Sequence, residues 1–117
     1  MKATLHNIFI FVTDISRARR FYGELLGLPI AGENEMMIEF FPGAPTTMTI
    51  ALALQDEARA MVGRHTGITL KFDQLESLCS QLATENVTFV MPFEASPWGK
   101  SAVVADPDGN QLRLWQA

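Results

Sequence analysis

The C-terminal segment DPDGNQLRLWQ, residues 106–116, places three chemically useful side chains on one face of a predicted strand. Two leucines alternate with Gln111, Arg113 and Trp115, and successive side chains of a strand point to opposite faces. A guanidinium can bind an anion, and an indole can pack against an apolar ligand. The pattern therefore indicates either a ligand-binding face or an edge at which Arg113 reaches solvent or pairs with a carboxylate.

Few other residues indicate a reaction. The single cysteine, Cys79, cannot form an internal disulfide, and we expect it to pack in the core. Arg17, Arg19 and Arg20 are typical of a solvated helix face. The sequence shows no Ser/His/Asp or Cys/His set, phosphate-binding loop or nucleotide-binding fingerprint, so we assign no catalytic residue.

Composition limits the class of protein. A chain of 117 residues is long enough for one domain with a core. No apolar run approaches the roughly 20 residues that cross a bilayer, and the net charge of −4 argues against nucleic acid as a partner. The start MKATLHNIFIFVTD lacks a leader pattern, so we expect a soluble, cytoplasmic protein that binds no membrane.

The first half of the chain predicts a βαβββ order. Asp14 is a suitable N-cap, apolar residues follow at helical spacing, and Gly27 offers a left-handed stop. The extended segments are predicted over residues 5–12, 28–30, 35–41 and 47–54, with a turn at 32–35.

The second half repeats this order. Asp73 and Glu76 fit a capping box, and the following helix is predicted to stop near Asn86. The spacing from Asp73 to Asn86 equals that from Asp14 to Gly27, which indicates an internal repeat. We therefore predict a single domain, 1–117, with module one at 1–56, a linker at 55–64 and module two at 65–117. The strands of module two are predicted over residues 65–72, 87–91, 100–105 and 111–116, with a glycine turn at 106–110.

The two modules, the segment FYGELLGLPI after the first helix and the ending DPDGNQLRLWQ together resemble the vicinal oxygen chelate superfamily. This superfamily includes glyoxalase I, bleomycin-resistance proteins and extradiol dioxygenases. The resemblance implies an α+β fold of two βαβββ modules, whose curved mixed sheets form a half-barrel around a cleft. It also implies a homodimer, because a second subunit commonly completes that cleft.

Metal-using members of the superfamily have His, Glu or Gln at four cleft positions, and these fall on Asn7, Ala51, Gly67 and Arg113. Asparagine is a weak donor, alanine and glycine have no donor side chain, and a guanidinium repels a cation. We therefore expect no metal ligand and no cofactor.

A displaced metal site is the alternative. His6 neighbours Asn7 but points to the other strand face, whereas His65 shares the face of Gly67. His65 could be joined by Glu35 or Glu39 around Zn, Ni, Fe or Mn. Such a site would favour a metal-dependent lyase, isomerase or dioxygenase.

The favoured hypothesis is a small-molecule-binding protein whose ligand has an anionic or acceptor group. A third hypothesis is an antibiotic-sequestering resistance protein, for which an acidic cleft would suit a cationic drug. Trp98, between Pro97 and Gly99, is read either as a mobile lid or as loop packing. The predicted ligand-binding residues are Asn7, Phe9, Phe11, His65, Lys71, Trp98, Arg113 and Trp115.

Overall fold

The computed structural model, which describes all 117 residues, divides the chain into two units, Met1–Val62 and Gly63–Ala117. Each unit contains a four-stranded mixed sheet with strands and a main helix in βαβββ order. The predicted α+β class with two modules of this order is confirmed. No helix has the length and apolar character needed to span a lipid bilayer.

In the first unit, β1 is parallel to β4, and the sheet order is β1-β4-β3-β2. We call this the first sheet. Its elements are β1 Asn7–Val12, α1 Ile15–Ala18 continuing as a π-helix Arg19–Leu25, β2 Ile30–Glu33, β3 Met37–Phe40, β4 Thr47–Leu52 and the short helix α2 Asp56–Arg59.

The predicted ends of the first helix are confirmed. Asp14 Oδ1 accepts a hydrogen bond of 2.9 Å from the backbone N–H of Arg17, as an N-cap does. Near the other end the N–H of Leu26 bonds to the carbonyl of Phe21, a five-residue step, and Gly27 has φ of 68°. The hairpin after β2 differs from the prediction, because β2 spans Ile30–Glu33 rather than 28–30 and its turn begins at Asn34, whose Oδ1 accepts two backbone N–H groups. The predicted linker 55–64 also contains the short helix α2.

The helix covers one face of the first sheet. Tyr22 is fully buried and its ring lies 6.2 Å from that of Phe40 on β3. Ile10, Ile38 and Ile50 are buried on the same face. The residues that alternate with these point the other way, onto what we call the open face of the first sheet.

In the second unit, β5 is parallel to β8, and the order of this second sheet is β5-β8-β7-β6. Strand β6 extends well past the predicted residue 91 and includes Pro92. The proline is tolerated because β6 is an edge strand with register shifts near it. The elements are β5 His65–Lys71, α3 Leu75–Thr84, β6 Thr88–Ser96, β7 Gly99–Ala105 and β8 Gln111–Gln116.

The predicted cap of α3 is wrong. Gln74, not Asp73, is the N-cap residue, and its side chain makes no capping hydrogen bond. The N–H of Leu75 instead donates to Oε1 of Gln116, at 2.9 Å. The predicted stop is confirmed, since α3 ends at Thr84 and Asn86 has φ of 59°.

The core of the second unit lies between α3 and one face of its sheet. Leu112 and Leu114 of β8 are fully buried there together with Leu75 of the helix. Cys79 is buried, as predicted, and burial raises the pKa of its thiol. The alternating residues of β5, β7 and β8 form the open face of the second sheet.

A buried polar network closes the turn before β8. Asn110 Nδ2 donates to Asp106 Oδ2 at 2.9 Å, and Asn110 Oδ1 accepts from the N–H of Gly63 at 2.8 Å. Gly109 has φ of 86°, so the predicted glycine turn is confirmed. The network fixes the start of β8 against the segment that leads into β5.

Candidate functional site

Three predicted site residues lie together on the open face of the first sheet. Asn7, Phe9 and Phe11 alternate along β1 with the core residues Ile10 and Val12. The rings of Phe9 and Phe11 are 5.9 Å apart, and Phe9 is 50% exposed. The face therefore presents an aromatic surface to its surroundings.

Cross-strand rows extend this surface over β4 and β3. Phe9 pairs with Thr49, which pairs with Glu39, and the next row joins Phe11, Ala51 and Met37. The middle residues are buried, at 3% exposure for Thr49 and 6% for Ala51, whereas the β3 residues are exposed. The larger side chains of β1 and β3 thus flank a strip of small, buried residues on β4.

Asn7 has the most constrained side chain on this face. Its Nδ2 donates to Thr47 Oγ1 at 2.7 Å and to Thr49 Oγ1 at 3.1 Å. Its Oδ1 is buried and has no hydrogen-bond partner. Sequence reasoning did not include Thr47, although the two-residue alternation back from Thr49 leads to it.

The open face of the second sheet brings together three more predicted residues. Thr69 pairs with Arg113, and Lys71 pairs with Trp115, across β5 and β8. Lys71 Nζ lies 5.8 Å from the centroid of the Trp115 ring. Val103 of β7 lies on the other side of Arg113.

Arg113 forms no ion pair. Asp14, Glu24, Glu33 and Asp56 form ion pairs, and their partners are other arginines. The side chain of Arg113 is exposed. Of the two alternatives to a ligand-binding role, pairing with a rim carboxylate is thus not what the structure has, whereas an Arg113 that reaches solvent agrees with this exposure.

His65 lies at the start of β5, beside an irregularity in the strand. The N–H of Gly67, which has φ of 74°, donates to His65 Nδ1 at 2.9 Å. The register with β8 shifts between His65 and Thr69. Since Nδ1 is engaged in this local bond, Nε2 is the ring nitrogen that His65 can offer to a ligand.

Trp98 lies in a turn and not on the open face of the second sheet. It is in the tight turn between β6 and β7, and its side chain is 86% exposed, so it is not packed within the loop. Its neighbour Gly99 approaches the indole nitrogen of Trp115 closely, at 2.9 Å from the position that a Cβ would take.

A groove of about 550 Å³ adjoins the Lys71 end of the second sheet. It is open to solvent. The groove is lined by Lys71, Phe72, Asp73, Gln116 and Ala117.

The residues at the four superfamily metal positions do not fit a divalent cation. Asn7 has its amide nitrogen committed to two threonines, Ala51 has no donor, Gly67 lies at the strand irregularity, and Arg113 is cationic. No group of three or more His, Cys, Asp or Glu side chains elsewhere could hold a metal ion.

The sequence profile of the Glyoxalase/Bleomycin resistance protein/Dioxygenase superfamily matches residues 4–114. A solved structure of a member of that superfamily from Sphaerobacter thermophilus is 30% identical, covers 99% of this chain and 98% of its own, and has a TM-score of 0.79. No functionally curated protein is significantly similar to this chain.

Two further solved structures are similar over nearly the whole chain. An antibiotic-binding protein from a Streptomyces species is 25% identical, with 98% of this chain and 96% of that chain covered and a TM-score of 0.77. A glyoxalase-related enzyme from Fulvimarina pelagi is 23% identical, with 99% and 89% covered and a TM-score of 0.76.

Proposed function

This chain belongs to the glyoxalase/bleomycin resistance/dioxygenase superfamily, and we propose that it binds a small organic anion without a metal ion. The observation that carries the proposal is Arg113. Its position is that of a metal ligand in other members, yet here it presents an exposed guanidinium with no carboxylate partner. A cation in that place favours an anionic ligand group over a metal.

The neighbours of Arg113 suit an anion with an apolar body. A guanidinium offers parallel N–H donors that match a carboxylate or phosphate. Thr69, directly across on β5, adds a hydroxyl, and Lys71 one row further adds a second positive charge. Trp115, next to Lys71, supplies an apolar surface for the rest of the molecule.

Capture of an antibiotic is the second candidate. The antibiotic-binding protein from Streptomyces shares 25% identity with this chain over nearly its full length. The exposed ring of Phe9 and the carboxylate of Glu39 lie in one cross-strand row of the first sheet. An aromatic, cationic drug would be complementary to that row, and capture requires no reaction.

We also propose that the protein acts in the cytoplasm as a homodimer. Cys79 is a free thiol and no disulfide is needed for the fold, which suits a reducing compartment. The edge strand β6 exposes Val90 and Met91, so that a second copy could cover them.

The test uses naphthalene-2-carboxylate and its neutral counterpart 2-naphthalenemethanol as probes, titrated calorimetrically into chelator-treated protein. We expect the carboxylate to bind more tightly, and Arg113→Met to weaken it about tenfold, which corresponds to about 1.4 kcal/mol. The alcohol should be unaffected. Arg20→Met is the matched control, because it removes the same charge from an exposed site on the first helix.

Carboxylate binding that is unchanged in Arg113→Met would contradict the proposal. Binding that appears only after Zn, Ni, Fe or Mn is added would favour the metal-dependent alternative instead. The second candidate is tested by a thermal-shift screen of cationic glycopeptides and polycyclic aromatic antibiotics. A shift that is lost in Phe9→Ser would show that the drug binds at the row of Phe9 and Glu39.

A further inference from the structure

A second groove, of about 380 Å³, lies between α3 and the edge strand β6. We call it the helix–strand groove. Four residues of α3 line one side, and Phe89, Pro92 and Phe93 of β6 line the other. Its volume is at the lower end of the range for small-molecule sites. None of the residues predicted to bind a ligand belongs to its lining.

The helix–strand groove is on the helix-covered side of the second sheet. Phe89 pairs with Val104, which is fully buried on that side. Glu94 shares a cross-strand row with Trp115 of the open face, so its neighbour Phe93 points to the helix side. The sheet therefore separates a molecule in this groove from the open face.

The two sides of the groove differ in the size of their side chains. Phe89 and Phe93 are half-buried, and neither ring has an aromatic partner in the chain. The helix opposite them presents small side chains, namely Cys79, Ser80 and Ala83. A flat ring system fits between such walls, and the phenyl rings offer it partners for stacking.

Glu76 is the one charged side chain that lines the groove. It is exposed and has no ion-pair partner within the chain. The thiol of Cys79 adds no charge at neutral pH, because burial raises its pKa. A lone carboxylate beside an aromatic wall attracts a cation and repels an anion, and the faces of the phenyl rings also favour a positive charge.

We propose that the helix–strand groove is a binding site for small aromatic cations. The ring system lies between α3 and the two phenylalanines, and the positive group lies at Glu76. This activity goes beyond the proposed function, because it needs neither Arg113 nor any residue of the open faces. A cationic aromatic drug that binds in this groove would still bind to Phe9→Ser.

The test compares 2-naphthylmethylammonium with neutral 2-naphthalenemethanol in an NMR titration at low ionic strength, followed through the backbone amides of α3 and β6. We expect both probes to shift these amides and the cation to bind roughly three- to fivefold more tightly, as for an exposed charge pair. Glu76→Gln should make the two affinities equal. The control Glu94→Gln removes the same charge from the other face of β6 and should leave the preference unchanged.

A second pair of variants tests the place of binding. Ala83→Trp should fill the groove and abolish binding of both probes there, because Ala83 lines the groove and is exposed. Ser77→Trp puts the same ring at an exposed position of α3 outside the lining and should leave both affinities unchanged. If Ala83→Trp does not fold, Phe93→Ser replaces it, and loss of this ring should weaken both probes about tenfold.

Unchanged amides of α3 and β6 with both probes would overturn the proposal, as would equal affinities of the native protein for the two probes. A preference for the cation that persists in Glu76→Gln would overturn it as well. Binding of naphthalene-2-carboxylate through Arg113 is measured separately and at another face of the sheet. Failure of this inference is therefore distinguishable from failure of the proposed function.

Discussion

Gln116, the second-last residue of the chain, accepts a hydrogen bond of 2.9 Å from the backbone N–H of Leu75 at the start of α3. The first N–H groups of a helix have no partner within the helix, and Gln74 provides no side-chain cap. The last strand therefore caps a helix that begins 41 residues earlier. This bond joins the helix to the sheet that it covers.

Replacing Gln116 by alanine should lower the free energy of unfolding by about 1–2 kcal/mol, in the range known for the loss of a helix cap. Urea denaturation followed by circular dichroism measures this. The matched control is Asp73→Ala, which removes an exposed side chain next to the helix start. It should leave the free energy of unfolding within about 0.5 kcal/mol of the native value. The opposite result, in which Asp73→Ala is destabilising and Gln116→Ala is neutral, would show that Asp73 caps α3.

Gly99→Ala should destabilise the second unit by roughly 2–4 kcal/mol, since φ is 130° there and a Cβ would lie 2.7 Å from the carbonyl oxygen of Gln116. The same Cβ would also press on the Trp115 indole, so Trp115 fluorescence should shift in a Trp98→Phe background. Gly32→Ala is the control, because a Cβ there has open space and Gly32 has no positive φ. Equal melting temperatures for both variants would show that the β6–β7 turn adapts freely.

The comparison of caps shows what the sequence can predict about this fold. Asp14, Gly27 and Asn86 act within a few residues of their own position, so local rules identified them. The cap of α3 depends on a contact between residues 41 positions apart, and no local pattern distinguishes Gln116 from other glutamines. Asp73 fitted the local rule, but the strand end supplied a competing acceptor.

The candidate site shows the same division. Two-residue alternation placed Asn7, Phe9 and Phe11 on one face, and likewise Lys71, Arg113 and Trp115. Alternation is a property of the extended backbone, so it can be predicted without knowledge of side-chain contacts. The orientation of the Asn7 amide and the exposure of Trp98 depend on side-chain contacts, which the order of residues does not specify.

Asp14 should make stability depend on pH in the acid range. The backbone N–H of Arg17 lowers the pKa of this carboxyl below its ordinary 3.8, because the bond favours the charged form. A lowered pKa in the folded state means that the stabilisation is complete above the unfolded value and is lost as pH falls through the folded one. Asp14→Ser keeps a cap and does not titrate.

The difference in free energy of unfolding between the native protein and Asp14→Ser should thus be constant above about pH 5. As the pH falls below 3.8, the native protein should lose stability relative to Asp14→Ser. Urea titrations at several pH values measure it. A difference that is independent of pH down to 2 would mean that the Asp14 carboxyl has the same pKa folded and unfolded.

Multi-angle light scattering at tens of micromolar should give the mass of two 13.0 kDa chains. The expected contact is the edge strand β6, where Met91 is 55% exposed and unpaired backbone groups face outward. Met91→Lys places a charge on that edge and should shift the mass toward one chain without changing the circular dichroism spectrum. Met61→Lys, at a 39% exposed position outside the sheets, is the control. A native protein with the mass of one chain would contradict the homodimer. A Met91→Lys variant that stays dimeric would place the contact on another edge, such as β2 with its exposed Ile30.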